Sequence, residues 1–209
     1  MALRETSMGR GLYRLLDRFV MPTVSRSFRS PNQITWLSAG LALSCVPAFY
    51  LAPFAGFFLM GLSALADIVD GLYARRFDKQ TPYGAFLDST LDRASDVFFL
   101  MGFWVLFRTD AFASAATLLL FLAAAATVLI SYTKARAEGL SVACDRGLFE
   151  RGTRTVYLLI WALAVSFLPD YARVLLWTGL FVYLFLTTLT VLDRMRLVRD
   201  ELSKKLDQG

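Results

Sequence analysis

The sequence predicts an all-α integral membrane protein: six transmembrane helices behind an N-terminal interfacial amphipathic helix, with both termini cytoplasmic. Three observations carry this expectation. The 209 residues are 56% hydrophobic with a mean hydropathy of +0.52, too apolar for an ordinary soluble domain of this size. The apolar residues gather into six runs rather than spreading periodically through the chain. The basic residues alternate between the connections that follow odd and even runs.

Taken in order, residues 1–30 form a cytoplasmic or interfacial segment. Leu12, Leu15, Leu16, Phe19 and Val20 recur there at helical spacing with Arg14 and Arg18 between them, the pattern of a helix lying in the membrane surface; the alternative is a plain basic tail. Residues 31–196 form the transmembrane domain. Its first span lies near Ile34–Ala52, and the second, near Phe54–Ala74, contains Asp67 and Asp70. The third, near Gly84–Phe107, contains Asp88, Asp92, Arg93 and Asp96. The fourth lies near Ala111–Tyr132 and is rich in alanine. The fifth is apolar only over Val156–Leu168; since a span needs about 20 residues, its helix is expected to start earlier, inside a charged segment. The sixth lies near Tyr171–Leu192, and residues 197–209 form a cytoplasmic tail.

The 22 Lys and Arg residues set the orientation. Six arginines precede Pro31. Arg75, Arg76 and Lys79 follow span two, five basic residues including Arg146 join spans four and five, and five more follow span six. Arg93 lies inside a span, and only Arg108 and Arg173 fall on the other side. A net charge of +5 in so apolar a chain marks a cytoplasmic membrane face, and no nucleic-acid partner is expected. The absence of histidine removes His-based triads and most zinc sites, and Cys45 and Cys144 form no disulfide or metal pattern. No secretory leader is expected, because the first strongly apolar run begins after Pro31, behind a long basic stretch.

The chemistry lies in "ADIVDGLYARRFDKQTPYGAFLDSTLDRASD", residues 66–96. On a helix, Asp67, Asp70, Gly71, Ala74 and Arg75 share one stripe, and Gly84, Asp88 and Asp92 share another. Counting the rise from the short connecting loop puts Asp70 level with Asp88, roughly 6–7 Å in, and Asp67 level with Asp92, roughly 12 Å in. Four converging carboxylates inside a membrane repel one another and each costs at least a few kcal/mol. Arg75 and Arg93 are too few to neutralise them. Divalent cations are the simplest remedy, and an all-oxygen ligand set favours Mg²⁺, Mn²⁺ or Ca²⁺. Two such ions suit displacement at phosphorus. Gly71 and Ala74 leave the same face bare for a ligand. Asp78 falls in the loop and is expected to be solvated. Asp96 extends the stripe or pairs with Arg93. The competing interpretations are a set of interhelical ion pairs or an ion or proton path.

The eight fixed positions of D-x2-D-G-x2-A-R-x8-G-x3-D-x3-D are all present, from Asp67 to Asp92, and this pattern resembles the signature of the CDP-alcohol phosphatidyltransferase family. "SPNQIT" before span one is similar to the family's N-terminal segment, and the six-span layout also fits. The resemblance implies an enzyme that moves a phosphatidyl or archaetidyl group from CDP-diacylglycerol or CDP-archaeol to an alcohol, releasing CMP. It implies that Asp67, Asp70, Asp88 and Asp92 hold two divalent cations, Mg²⁺ or Mn²⁺. It places Asp67, Gly71, Ala74, Arg75, Asn32 and Thr35 against the CDP-lipid. Asp92 would be the general base that takes the proton of the acceptor hydroxyl.

"SYTKARAEGL" and "GLFERGTR" bring basic residues to the cytoplasmic ends of spans four and five. Cations there suit a phosphate on the acceptor, although membrane topology alone also puts Lys and Arg on this side. The words resemble the branch making phosphatidylinositol phosphate or archaetidylinositol phosphate. That resemblance implies inositol phosphate as acceptor, held by Ser131, Lys134, Arg151, Arg154 and Arg194. Glycerol 3-phosphate, also anionic, remains an alternative, and from another class so does a small transporter with an aspartate-lined path. A polyprenyl transferase would present DDxxD-like clusters, which are absent. The expected location is the cell membrane with the site facing the cytoplasm, and the small residues Ala123–Ala126 suggest a homodimer.

Overall fold

The computed structural model describes residues 11, 14–144 and 147–207. Leu12 of the N-terminal stripe and Arg146 of the basic set lie outside the described residues. Among those described the fold is helical throughout, with no strand. A π-helical turn, Leu16–Val20, leads into α1 (Met21–Ser27). There follow α2 (Pro31–Leu51), α3 (Pro53–Arg76), α4 (Pro82–Phe107), α5 (Ala113–Glu138), α6 (Arg151–Phe167) and α7 (Ala172–Asp207). Helices over Pro31–Leu51, Pro53–Arg76, Ala113–Glu138 and Pro169–Lys205 are long and apolar enough to cross a membrane. The other two expected spans differ for visible reasons. Four charges interrupt α4, and α6 has 17 residues, about 26 Å of helix against a hydrocarbon core of about 30 Å. As the short apolar run led one to expect, α6 starts inside the basic segment, at Arg151 with Glu150 at its N-cap position. The segment expected as a tail continues α7 to Asp207.

The chain divides between Gly102 and Phe103 into two compact units. In the first, α2 starts at a proline preceded by Ser30, and Gln33 Oε1 accepts the Arg29 N–H at 2.8 Å and the Ser30 N–H at 3.4 Å. This reciprocal cap is legible in "SPNQ". Small residues let α2 and α3 approach closely. Ser38 and Ser63 each donate to the other's carbonyl at 2.9 Å, and the Phe49 ring fills the space over Gly56 and Gly102, where a Cβ would fall within 2.5 Å of ring carbons. Membrane helices pack this way because small side chains bring backbones within van der Waals and hydrogen-bond reach. The N-terminal segment docks through Leu16 and Met21 onto Val69 and Tyr73 of α3. Leu15 and Phe19 instead stay exposed, so the stripe divides between a protein-facing half and an outward half.

In the second unit, α5 and α7 are joined by a buried hydrogen bond between Thr127 Oγ1 and Tyr183 Oη at 2.8 Å. Trp161 of α6 donates to the Leu175 carbonyl at 2.8 Å and lies flat on Gly179, while Tyr157 Oη donates to the Gly179 carbonyl at 2.7 Å. A Cβ at 179 would sit 2.2 Å from the indole. Gly179→Ala should therefore cost about 1–3 kcal/mol through overpacking, read as a lowered Tm of the purified protein; an unchanged Tm would show that the indole moves freely. Beyond the apolar part of α7, Leu197, Val198 and Leu202 pack on Ala137, Val142 and Cys144, which explains why the helix does not stop at the membrane. Between α4 and α5, Asp110 accepts the Phe112 N–H at 2.8 Å and Arg173 Nε at 2.9 Å. The Phe112 bond foremost, then the Trp177 and Arg173 side chains, hold its carboxyl below the usual carboxylate range.

Candidate metal and nucleotide site

The first unit carries the carboxylates. One oxygen each from Asp67 and Asp70 on α3 and Asp88 on α4 lie within 4.8 Å of one another. The helical spacing of three accounts for Asp67 with Asp70, and the hairpin brings in Asp88. Asp70 is 4% exposed, and its Oδ2 has no hydrogen-bond partner among the described residues. A buried carboxylate oxygen without a partner is costly. Three carboxylates around it make an all-oxygen donor set suited to a hard divalent cation, so the residues present fit the expected metal. Asp92 lies one turn further into α4, half-buried, beyond this set of three. Asp96, the next turn, is 2% exposed. Arg93 donates to the Ser89 carbonyl of its own helix. Asp78 is exposed, as expected of a solvated loop residue, and adopts φ 50°.

Asp70 and Asp88 also line a cavity of about 220 Å³, together with Asn32, Thr35, Gly71, Ala74 and Arg75. These seven residues, expected from the motif and from "SPNQIT", thus face one space, and Gly84 of the motif joins them. The Arg75 guanidinium folds back over Gly71: a Cβ there would lie 3.2 Å from Nη1, so the side chain would have to shift slightly. Gly84 is similarly crowded. Its Cβ would lie 3.2 Å from Asn32 Oδ1, and its N–H donates to Thr81 Oγ1 at 3.0 Å, so the start of α4 closes against the start of α2. Lys79, Gln80 and Thr81 also line it. They lie in a stretch that the sequence presents mainly as a turn. The available signal was Thr81–Pro82, a helix-start pair shortly before the motif's Gly84.

The residues expected for the acceptor phosphate all lie in the second unit. Arg154 and Arg194 are 1% and 3% exposed. Arg154 Nη1 donates to the Phe149 carbonyl at 3.2 Å and Arg194 Nη1 to the Ile130 carbonyl at 2.5 Å, while Arg194 Nη2 stands 3.8 Å from Glu150. Membrane topology alone does not explain arginines buried so deeply. Lys134 is paired with Glu138 at 3.9 Å, and Ser131 and Arg151 are half-buried. Glu150 was not among the residues expected at the site; its place in "GLFERGTR", one residue before α6, was the available hint.

Residues 28–185 match the sequence profile of the CDP-alcohol phosphatidyltransferase family. Archaetidylinositol phosphate synthase of Aeropyrum pernix is 32% identical over 93% of this chain and 100% of its own length. Phosphatidylinositol phosphate synthase of Mycolicibacterium smegmatis is 34% identical over 92% of this chain and 87% of its own. The crystal structure of Mycobacterium tuberculosis phosphatidylinositol phosphate synthase with CDP-DAG bound superimposes with a TM-score of 0.75 at 27% identity, covering 86% of this chain and 91% of that one. The same enzyme in complex with manganese and citrate gives the same TM-score at 25% identity. A carboxylate set beside a cavity lined by the motif's own residues, the complete eight-position motif and a profile match over most of its length agree: this chain belongs to the CDP-alcohol phosphatidyltransferase family.

Proposed function

We propose that this protein transfers the phosphatidyl or archaetidyl group of a CDP-linked lipid to inositol phosphate, releasing CMP, in phospholipid biosynthesis. The observation that carries this is the carboxylate set of Asp67, Asp70 and Asp88 opening onto the cavity lined by Gly71, Ala74 and Arg75. Asp67, Asp70, Asp88 and Asp92 would hold two divalent cations, Mg²⁺ or Mn²⁺, which when bound supply charge neutralisation at the diphosphate and the departing CMP. Gly71 and Ala74 leave room for the cytidine, with Asn32 and Thr35 across from them. Arg75, folded over Gly71, offers its guanidinium to the nucleotide phosphates. Asp92 accepts the proton of the acceptor hydroxyl as its oxygen forms the bond to the lipid-bearing phosphorus and the bond from that phosphorus to CMP breaks.

Ser131, Lys134, Arg151, Arg154 and Arg194 take the acceptor's phosphate. Two buried arginines favour an anionic acceptor over an unphosphorylated alcohol, because a buried fork donor matches phosphate oxygens. The names of the relatives favour inositol phosphate over glycerol 3-phosphate. Charge alone does not separate these two. Family membership decides for an enzyme over the transporter interpretation. Six spans with both termini cytoplasmic, a cytoplasm-facing site in the cell membrane and a homodimer complete the proposal; the skew of basic residues supports the orientation.

The test is CMP release from CDP-diacylglycerol or CDP-archaeol with Mg²⁺ or Mn²⁺ and a panel of acceptors. Release with inositol phosphate is expected. No release with any acceptor would sink the transferase reading, and release with glycerol 3-phosphate but not inositol phosphate would sink the narrower one.

A further inference from the structure

The end of α3 delivers Lys79 to an unusual place. Phe77 closes the helix, Asp78 takes the left-handed conformation at φ 50°, and the Lys79 N–H returns to the Ala74 carbonyl at 2.9 Å. This is a Schellman-type stop with aspartate where glycine is usual. It turns the Lys79 side chain back toward the N-terminal segment. Its ammonium donates to the Arg29 carbonyl at 2.8 Å and to Tyr73 Oη at 3.1 Å, and lies 5.1 Å from the centre of the Tyr73 ring. Tyr73 is 2% exposed and itself donates to the Phe28 carbonyl at 3.0 Å.

These bonds join two walls of the cavity. Arg29 immediately precedes the start of α2, which contributes Pro31, Asn32 and Thr35 to the lining, while Lys79 begins the stretch that contributes Gln80 and Thr81. The strand of chain before α2 and the loop before α4 have no covalent reason to stay together near this point. The loop carries few apolar contacts of its own, as Phe77 through Thr81 are exposed. A charge-assisted hydrogen bond to a carbonyl, backed by a cation–π contact, is the kind of tie that holds such a loop.

We infer that Lys79 is a positioning residue for the cytidine end of the CDP-lipid, acting as a clamp between the two cavity walls through the Arg29 carbonyl and Tyr73. The inference rests on the cavity being the nucleotide site. A clamp sets cavity width, so it governs affinity for the nucleoside whether or not phosphates are attached. A lysine that touched the phosphates directly would matter only when they are present.

The experiment compares full-length wild type, Lys79→Met, Lys79→Arg and Tyr73→Phe in detergent or nanodiscs. It reads KM and kcat with CDP-diacylglycerol, and the Kd of cytidine and of CMP by calorimetry. For Lys79→Met, KM and both Kd values are expected to rise about tenfold, the scale of one charge-assisted bond, with kcat changed by less than about twofold. Lys79→Arg should restore most of the affinity, since it can still reach a carbonyl and an aromatic face. Tyr73→Phe, which keeps the ring but loses the hydroxyl bridge, should give a smaller rise in the same direction and serves if Lys79→Met does not fold. Unchanged Kd values overturn the clamp. A loss confined to CMP, with cytidine unaffected, overturns it in favour of direct phosphate contact. A fall in kcat at constant KM overturns it too. Wild type that neither binds cytidine nor releases CMP removes the site assignment itself, and the clamp with it.

Discussion

Asp70→Asn is expected to abolish metal-dependent CMP release, lowering it by at least about a hundredfold. The same change should leave the metal-free protein as stable as wild type or more so. Both halves follow from one geometry. Asp70, 4% exposed, has an oxygen without a hydrogen-bond partner among the described residues, and it brings a carboxylate oxygen within 4.8 Å of oxygens from Asp67 and Asp88. Without a cation the three carboxylates repel one another in a medium that screens them poorly, and an amide removes one of the charges at nearly constant volume. With a cation the repulsion becomes ligation, and binding to the folded state alone adds about 2.7 kcal/mol at a hundred times Kd. Thermal melts in EDTA and in graded Mn²⁺ check this. Wild type should gain Tm with Mn²⁺ and Asp70→Asn should gain much less. An equal gain in both proteins would mean that Asp70 is not a ligand, and a variant much less stable than wild type in EDTA would mean that the cluster is a structural ion network instead.

Asp92→Asn should separate chemistry from binding. Loss of a general base costs about 10²- to 10⁴-fold in rate, so kcat should fall by that order while Kd for the CDP-lipid changes by no more than about threefold. The motif offers Asp92 for two roles, ligand and base. Its position a turn deeper than Asp88, about 6 Å along the helix, and outside the set formed by Asp67, Asp70 and Asp88 weights the balance toward the base. The Mn²⁺ melt distinguishes the two. A retained Mn²⁺ shift with lost turnover fits the base, whereas loss of the shift makes Asp92 chiefly a ligand. Normal turnover would remove Asp92 from catalysis altogether.

Much of the helical fold and of the carboxylate cluster was legible because both rest on short-range regularities. Helical spacing alone put Asp67 and Asp70 on one face with Gly71 and Ala74. The brevity of the loop from Phe77 to Thr81 made α3 and α4 a hairpin, which carried Asp88 to them. Capping at Ser30 and Gln33 and the charged start of α6 at Arg151 were equally local. Spans were less legible wherever function conflicts with burial in lipid. Charges interrupt α4, and the apolar part of α6 is short, so a hydropathy argument weakens at those helices.

The order of the helices and the carboxylate stripe were thus determined by the sequence itself, since each depends on residues a few positions apart whose relation the helix rise fixes. Only the tertiary structure decided the rest. It left Asp70 with a buried oxygen that no other described residue satisfies, buried Arg154 and Arg194 against backbone carbonyls, split the N-terminal stripe between Val69 and open surface, and aimed Lys79 at a carbonyl fifty residues earlier in the chain. Those outcomes depend on which surfaces meet when helices pack, and on how one left-handed residue at Asp78 redirects the chain, distances that no local spacing encodes.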